Sequence, residues 1–397
     1  MFIFGRIGGY GLARIKESDS ESISRVGISR CKDYDGDRIA KSVGSCVDEL
    51  GGIDRYVRKG DRVLLKANLL IARTRDKYVT TDPEVVRAVI RLVKKAGGIP
   101  VIGDGPAMGS AEKVAAKCGI GEVARAERVD IINFNRPVDV DNRSGATFKK
   151  FKIDRAVLES DVVINLPKLK THGQMTLTLG VKNMFGVIPG TRKSQWHLAA
   201  GTDRLNFARM LVDLYHKVSP SLTVMDGVIA MHGNGPQNGV PKKVGLILAS
   251  EDAVALDTLI CEVVGLRKER MPTLLAAEEM GIGRTNMNKI VVAGEQLDDS
   301  RVGDFIFPET SELMNFLPQP LRAPFRNWLT TRPVLDKNRC QVCLVCMENC
   351  PAKVITRRND TMVFDLKGCI RCFCCQEMCP HGAITVGSGP LAKLLRL

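Results

Sequence analysis

The chain has 397 residues, 44% of them hydrophobic and 26% charged, and its formal net charge is +14 at pH 7. This length exceeds what one hydrophobic core usually fills, so we expect a large domain and a smaller one. No run of about 18 apolar residues is present, which argues against a transmembrane helix.

The N-terminus lacks the basic region and the long apolar stretch of a secretory signal, so we expect a cytoplasmic protein. Lys and Arg residues are dispersed along the chain, and aromatic residues make up only 5% of it. Both features argue against a nucleic acid as the partner. Residues 1–23 are interpreted as an N-terminal extension without an assigned role.

Apolar, β-branched runs alternate with helical patterns through residues 24–306. This alternation predicts an α/β domain with a mostly parallel sheet and crossover helices. In its clearest unit, a strand at 63–66 is followed by a helix that begins at Asp82 and Pro83, and then by a strand at 99–102. Asp82 is suited to cap that helix, and Pro83 is suited to its first position.

The same patterns predict further strands at 129–134, 162–166, 222–225 and 244–248, and further helices near 38–50, 111–118, 203–218 and 253–264. A glycine-rich loop at 233–239 lacks the spacing of a nucleotide-binding motif and is interpreted as a flexible, lid-forming loop. Prolines break the pattern between residues 307 and 331, which predicts a linker.

Nine of the 13 cysteines lie between positions 340 and 379, and eight of them form two copies of the spacing Cys-x2-Cys-x2-Cys-x3-Cys-Pro. Bacterial ferredoxins with two [4Fe-4S] clusters have this run, and the fourth cysteine of each copy ligates the other cluster. Residues 332–397 are therefore predicted to be a small α+β ferredoxin-like domain. The predicted ligands are Cys340, Cys343, Cys346 and Cys379 for one cluster, and Cys369, Cys372, Cys375 and Cys350 for the second.

A zinc site is the alternative, but zinc needs four ligands rather than two interleaved sets of four. The ninth thiol, Cys374, does not fit the spacing and is interpreted as a spare. An oxidised cluster with its thiolates carries about −2, so two clusters would lower the net charge to about +10. Most of the remaining positive charge belongs to the large domain.

Three stretches of the large domain carry polar residues after predicted strands, where we expect loops that lead from a strand to a helix. They contain Lys66 and Asn68, then Lys168, Lys170 and His172, and then Lys182 and Asn183. Ligands of parallel sheets bind at the carboxyl ends of the strands, and lysines there favour an anion. The sequence thus predicts a basic crevice that holds an anionic substrate or cofactor through Lys66, Asn68, Lys168, Lys182 and Asn183.

Lys170, His172 and His197 are the predicted catalytic residues. An imidazole titrates near neutral pH, so His172 or His197 would supply the protons that accompany electron transfer. Two alternatives stay open: Lys66 and Asn68 could simply stabilise a loop, and His197 could be an ordinary surface residue. Helix capping explains three weaker candidates, Asp104, Asp226 and Asp257.

Six short motifs are spread over roughly residues 24–300. They are Lys66-Ala67-Asn68, Thr80-Thr81-Asp82-Pro83, Asp104-Gly105, Lys168-Leu169-Lys170-Thr171-His172, Lys182-Asn183-Met184-Phe185-Gly186, and Asp226-Gly227 with Gly235-Pro236. In combination they resemble the DUF362 family, which is often fused to a ferredoxin domain. The resemblance implies an iron–sulfur protein of anaerobic metabolism and supplies no substrate.

Two functions follow as hypotheses. The leading one is a cytoplasmic iron–sulfur oxidoreductase that relays single electrons through two [4Fe-4S] clusters to an anionic substrate or cofactor in the basic crevice. The alternative is a non-catalytic electron-transfer or maturation factor whose large domain docks a partner redox enzyme. Both require a protein that donates or accepts electrons. Nucleic-acid binding, driven by the positive charge, is a more distant third hypothesis.

Overall fold

The computed structural model describes residues 6–7, 10–11, 22–309 (apart from 144, 146 and 191), 328–389 and 391. Most of the predicted extension and most of the predicted linker lie outside the described residues. Among the described residues, no helix is long and apolar enough to cross a bilayer.

The strands, in chain order, are β1 (Arg6–Ile7), β2 (Tyr10–Gly11), β3 (Ser24–Arg30), β4 (Arg62–Ala67), β5 (Ile99–Asp104), β6 (Ile131–Asn133), β7 (Pro137–Asp141), β8 (Lys150–Asp154), β9 (Val162–Leu166), β10 (Lys168–His172), β11 (Thr176–Thr178), β12 (Leu222–His232), β13 (Val240–Ser250), β14 (Ile290–Gly294), β15 (Arg332–Leu335), β16 (Ile355–Arg358), β17 (Thr361–Phe364) and β18 (Ile384–Gly387).

The helices are α1 (Gly36–Asp48), α2 (Pro83–Lys95), α3 (Ala111–Cys118), α4 (Ile120–Ala126), α5 (Arg155–Leu158), α6 (Gly180–Asn183), α7 (Arg192–Ala200), α8 (Arg204–Val218), α9 (Ala253–Val264), α10 (Pro272–Met280), α11 (Leu297–Ser300), α12 (Val345–Glu348) and α13 (Cys374–Met378). Single 3-10 turns lie at Ile53–Arg55, Arg75–Lys77, Met184–Val187, Lys268–Arg270 and Met287–Lys289.

One ten-stranded sheet organises the large domain. Its main path is β14-β3-β13-β12-β9-β4-β5-β6, and β10 and β11 branch from β12. The strands β12, β9, β4, β5 and β6 run parallel to one another along this path, and β14 runs parallel to β3. Only β13 on the path runs antiparallel to both of its neighbours, β3 and β12. The mostly parallel sheet predicted from the sequence is therefore confirmed.

Helices cover both faces of this sheet. Successive side chains of a strand point to opposite faces, so neighbouring residues of one strand pack into different cores. Leu64 of β4 belongs to an apolar core that also contains residues of α8, α9 and α10. Its neighbours Val63 and Leu65 belong to a second core, with residues of α1, α2 and α3. The large domain is thus a three-layer α/β/α structure.

Local sequence signals position several elements where they were predicted. Helix α2 begins after Asp82, whose carboxylate accepts the N–H of Glu84 at 2.9 Å, and Pro83 is its first residue. Helices α3 and α9 begin and end at the predicted residues. Strands β12 and β13 are longer than predicted, with 11 residues each, because they pair with each other far beyond the predicted segments.

Residues 168–172, which were predicted to form a loop, form strand β10. This strand pairs with β12 on one side and with β11 on the other. Polar residues alternate along it as strand geometry requires, but their polarity suggested a loop. Buried partners such as Asp226 opposite Lys168 make a polar strand stable, and such partners come from distant parts of the chain.

The C-terminal domain has the element order β15-α12-β16-β17-α13-β18. This is the β-α-β-β-α-β order of ferredoxin-like folds. Strand β15 pairs with β18, and β16 pairs with β17, both antiparallel. The small apolar core contains Ile355, Met362 and Ile384 together with four of the cysteines. The predicted ferredoxin-like domain is therefore confirmed.

Candidate functional site

The eight cysteines of the two ferredoxin motifs surround two small cavities in the C-terminal domain. The first cavity is lined by Cys340, Cys343, Cys346 and Cys379. The second is lined by Cys350, Cys369, Cys372 and Cys375. Each cavity thus takes three thiols from one motif and one thiol from the other. Four thiols around one space are the donor set that a [4Fe-4S] cluster requires, so the residues present fit this cofactor.

The two cavities differ in their exposure to solvent. In the first set Cys343 is exposed and Cys340 is partly exposed. In the second set Cys350, Cys372 and Cys375 are buried. The first set therefore lies nearer to the surface of the described structure than the second.

The loop between β12 and β13 contacts the C-terminal domain. Gln237 donates through Nε2 to the carbonyl oxygens of Glu377 and Cys379, at 2.7 and 3.0 Å. Asn238 donates through Nδ2 to the Cys379 carbonyl at 2.9 Å. The loop at 233–239, which was interpreted as a flexible lid, is thus held in place by hydrogen bonds to the backbone beside a predicted cluster ligand.

A cavity of about 360 Å³ lies between the two domains. The large domain contributes polar residues and four lysines, which are Lys66, Lys170, Lys182 and Lys193. The C-terminal domain contributes Cys350, Pro351, Cys374, Glu377 and Met378, among others. Since Cys350 also lines the second sulfur-lined cavity, the interdomain cavity borders that predicted cluster site directly.

Lys66 forms a buried ion pair at the end of β4. Its Nζ lies 2.8 Å from Asp104 Oδ1 and donates to the Ala67 carbonyl at 2.9 Å. Asp104 also accepts the N–H of Leu69 at 2.6 Å. Burial lowers the pKa of Lys66, while the Asp104 carboxylate opposes this shift. The charge of Lys66 is therefore already balanced within the protein.

Lys170 belongs to a chain of buried hydrogen bonds. Its Nζ donates to Asn68 Oδ1 at 2.7 Å and to the Val79 carbonyl at 2.5 Å. Asn68 donates to Asn183 at 2.9 Å, and Asn183 donates to Asn165 at 2.8 Å. Burial lowers the pKa of Lys170 to about 7. Three predicted site residues, Asn68, Lys170 and Asn183, are therefore joined by hydrogen bonds, and Lys170 changes its charge near neutral pH.

Lys182 and His197 also line the cavity, and each has a polar atom without a hydrogen-bond partner among the described residues. Lys182 Nζ makes no ion pair or hydrogen bond with them and lies 5.7 Å from the Phe185 ring centroid. His197 stacks on Phe207 at 4.2 Å, and its Nδ1 is buried without a partner. Burial lowers the pKa of Lys182 and lowers that of His197 to about 3, so His197 is neutral at pH 7.

His172 lies behind the cavity wall and contacts the C-terminal domain. Its Nε2 is 3.7 Å from Glu377 Oε2, and Glu377 lines the cavity whereas His172 does not. The His172 Nδ1 accepts the N–H groups of Gln174 and Met175 at 3.1 and 3.2 Å, which leaves the proton of the neutral ring on Nε2. Burial lowers the pKa of His172 to about 4.

The structure places Lys168 outside the cavity. Its Nζ lies 2.9 Å from Asp226 Oδ2 and 2.5 Å from the Tyr34 hydroxyl, and the two charged side chains are fully buried. This predicted cofactor-binding residue is therefore engaged in an internal ion pair. The aspartate Asp257 accepts the N–H groups of Gly180 and Val181 at the start of α6, which is the capping role expected of it.

The cavity also contains polar residues that were not predicted as site residues, among them Thr178, Lys193, Cys374 and Glu377. Cys374 and Glu377 lie inside the second cysteine motif, so their proximity to the lysines depends on how the two domains dock. Lys193 donates to the Gly105 carbonyl, and burial lowers its pKa to about 8. The only sequence signal for Lys193 is its position shortly after the motif that contains Lys182.

Two solved structures give distant matches. A Thermotoga maritima protein is 15% identical with a TM-score of 0.36, over 64% of this chain and 59% of that one. The lactate racemase apoprotein from Thermoanaerobacterium thermosaccharolyticum is 11% identical with a TM-score of 0.39, over 64% of this chain and 60% of that one. The chain thus spans less than two thirds of the length of either protein.

Sequence comparison gives closer matches. The profile of the family described as "domain of unknown function (DUF362)" matches residues 63–262, and that of a 4Fe-4S dicluster domain matches residues 332–380. A thylakoid-associated protein of Synechocystis sp. is 37% identical over 310 residues, which are 77% of this chain and 95% of that protein. The chain therefore belongs to the DUF362 family and carries a C-terminal 4Fe-4S dicluster domain.

Proposed function

We propose that the protein is an iron–sulfur oxidoreductase that passes single electrons from two [4Fe-4S] clusters to an anionic molecule in the interdomain cavity. One observation carries this proposal. Cys350 lines both the second sulfur-lined cavity and the interdomain cavity, whose wall also contains four lysines of the large domain. A molecule bound among the lysines would therefore lie next to a cluster site, and no additional electron carrier would be needed between them.

The protein's own residues would give the electron path a direction. A bound [4Fe-4S] cluster accepts and releases one electron at a time. The exposed Cys343 marks the end of the path that a donor protein can approach, whereas the buried Cys350 marks the end at the cavity. Gln237 and Asn238 would hold the C-terminal domain in the position that keeps Cys350 at the cavity wall.

Charge in the cavity favours an anion. Lys182 makes no ion pair with a described residue, although the Glu377 carboxylate of the same cavity opposes the lowering of its pKa by burial. The Lys193 ammonium is directed at the Gly105 carbonyl rather than at a carboxylate. Lys182 is buried and Lys193 is half-buried, so the attraction between an ammonium and an anion is stronger there than in water. A carboxylate or phosphate would neutralise this wall of the cavity.

Lys170 is the residue best suited to supply protons. Its pKa of about 7 lets it release a proton and regain it near neutral pH. The pKa values of His172 and His197 are about 4 and 3, so both rings are neutral at pH 7 and serve as hydrogen-bonding groups. We therefore assign the proton-donor role to Lys170 rather than to the two histidines that the sequence suggested for it.

We propose that the protein acts in the cytoplasm, in anaerobic metabolism, and that a separate protein is its electron donor. The Synechocystis relative is named for its association with thylakoids, which supports a donor at a membrane surface as one arrangement. The exposure of Cys343 also supports the second candidate function, in which the protein only exchanges electrons with a partner redox enzyme.

Anaerobic purification followed by iron, sulfide and small-molecule analysis tests the proposal. We expect about eight iron and eight acid-labile sulfide per chain. We also expect a co-purified organic anion in the wild type that is lost in Lys182→Met, while the iron content of this variant is unchanged. About four iron per chain would contradict the two-cluster arrangement, and an anion retained equally by Lys182→Met would contradict the cavity as its site.

A further inference from the structure

The four lysines that the large domain contributes to the interdomain cavity differ in whether their ammonium groups already form a hydrogen bond or an ion pair within the protein. Lys66 is paired with Asp104 at 2.8 Å, and Lys170 donates to Asn68 at 2.7 Å. Lys193 donates to the Gly105 carbonyl. Among the described residues, Lys182 alone of these four has neither a hydrogen bond nor an ion pair, although only 8% of the residue is exposed. The Glu377 carboxylate of the same cavity acts on Lys182 without forming an ion pair with it, so the Lys182 ammonium is the one still available for direct contact with a ligand.

Two further polar groups of the same cavity lack a partner among the described residues. His197 is 4% exposed, and its Nδ1 has no hydrogen bond. Its ring is fixed by stacking on Phe207 at 4.2 Å and by an edge contact with Phe185 at 5.7 Å. Thr178 is 5% exposed, and its hydroxyl has no hydrogen bond either. Thr178 lies directly opposite Lys170 in the β10–β11 pair, so both side chains face the same side.

Buried polar groups without partners are rare, because each loses its hydrogen bonds to water without a replacement. An ammonium, an imidazole N–H and a hydroxyl that line one cavity of about 360 Å³ therefore indicate a ligand that accepts hydrogen bonds. All three groups can donate, and one of them is a cation. The matching ligand chemistry is an oxyanion, either a carboxylate or a phosphate.

We propose that Lys182, His197 and Thr178 form an oxyanion subsite that binds the carboxylate or phosphate group of the electron acceptor. This assignment rests on the proposed function, since it names the part of the acceptor that the cavity recognises. The rest of the acceptor lies along Phe185, Met378 and Leu70, which give the same cavity an apolar surface. The substrate class is therefore a small organic acid or phosphate ester with an apolar part.

The stability of variants gives a test that does not require the ligand to be known. A residue kept for binding should not stabilise the ligand-free protein, so Lys182→Met and Thr178→Val should leave the thermal midpoint unchanged or raise it. Two matched control variants remove a lysine and a threonine whose polar groups already have partners within the protein. Lys168→Met breaks the pair with Asp226, and Thr171→Val removes hydrogen bonds to Gly233 and Gly235, so both should lower the midpoint.

Binding of two probes, inorganic phosphate and malonate, distinguishes the two sources of an oxyanion. At least one of them should raise the thermal midpoint of the wild type in proportion to the logarithm of its concentration. In Lys182→Met the apparent affinity for that probe should fall at least about tenfold, as expected for a charged hydrogen bond. A response to phosphate alone assigns a phosphate ester, and a response to malonate alone assigns an organic acid.

Three results would overturn the subsite: neither probe stabilises the wild type, the responding probe stabilises Lys182→Met equally, or Lys182→Met and Thr178→Val destabilise the protein as much as their matched controls. Failure of the proposed function is a different outcome. In that case the reduced protein binds the probe at the subsite, but its clusters keep their electrons in the presence of every organic acid and phosphate ester tried. Iron analysis of each variant confirms that the clusters are intact in both tests.

Discussion

Buried lysines of this protein have different roles because their surroundings differ. Lys168 is matched by a carboxylate at 2.9 Å, and Lys170 by an amide oxygen at 2.7 Å and a carbonyl oxygen. Lys182 forms neither a hydrogen bond nor an ion pair with a described residue and lies 5.7 Å from the Phe185 ring centroid. A burial penalty acts on all three ammonium groups, and its outcome depends on these partners. The first lysine is structural, the second is suited to proton transfer, and the third is available to an anion.

Lys170 gives a prediction about pH. The protonated ammonium is the proposed proton donor, and its pKa is about 7. The rate of electron transfer from reduced protein to a bound acceptor should therefore be constant at low pH and decline above about pH 7, up to tenfold per pH unit. Stopped-flow reoxidation at a series of pH values measures this profile.

Lys170→Arg is the matched control for that profile. An arginine keeps the positive charge but stays protonated throughout the range, so anion binding should be partly retained while the proton step is lost. A decline above pH 7 that persists unchanged in Lys170→Arg would assign the titration to another group.

Cys374 gives a prediction about the cluster ligands. It lines the interdomain cavity but belongs to neither four-thiol set. Cys374→Ser should therefore keep the full iron content, whereas Cys375→Ser should lose iron from the second site. Iron analysis and EPR spectroscopy of the reduced variants measure the difference. Equal iron loss in both variants would mean that the assignment of Cys375, and not Cys374, as a ligand of the second cluster is wrong.

At the scale of elements, the sequence predicted those segments whose signals are local. The Asp82 cap and Pro83 placed the start of α2, and the apolar run at 162–166 placed β9. Strand β10 could not be predicted in this way. Its lysines are compatible with a buried strand only because Asp226 and Asn68 approach from other parts of the chain. Local polarity alone cannot distinguish a solvated loop from a satisfied buried strand.

The ion pair between β10 and β12 gives a prediction about stability. Asp226→Asn leaves the Lys168 ammonium buried without a counter-ion, and we expect a loss of about 3–5 kcal/mol in unfolding free energy. In the double variant Lys168→Met with Asp226→Asn no charge is buried, so a large part of the loss should be recovered. Thermal unfolding under anaerobic conditions compares the two. A double variant less stable than Asp226→Asn would contradict this explanation.

At the scale of the whole molecule, the proposed function depends on how the two domains meet. The spacing of the cysteines predicted the grouping of thiols seen around the two small cavities. The interdomain cavity could not be predicted, since Glu377, Cys374 and Lys182 become neighbours only after docking. Nothing in the local sequence indicates that the 233–239 loop has hydrogen-bond partners in the other domain.

That loop gives a prediction about domain docking. The double variant Gln237→Ala with Asn238→Ala removes three hydrogen bonds to the backbone at Glu377 and Cys379, each worth about 1 kcal/mol. Amide hydrogen exchange in residues 376–384 should become faster, while the iron content stays the same. Asn288→Ala, at an exposed position of the large domain, is the control and should change neither quantity. Unchanged exchange in the double variant would show that the loop does not hold the domain.

We propose that electrons leave the clusters for an anion held in the interdomain cavity. Single-turnover reoxidation of the reduced protein measures this transfer. Protein reduced with dithionite and freed of excess reductant is mixed anaerobically with organic acids and phosphate esters, and the visible absorbance of the clusters is followed. We expect at least one compound to reoxidise the wild type at a rate that saturates with its concentration, and we expect Lys182→Met to need at least about tenfold more of it. Reoxidation that never saturates, or that is identical in Lys182→Met, would mean that the electrons do not leave for an anion in this cavity.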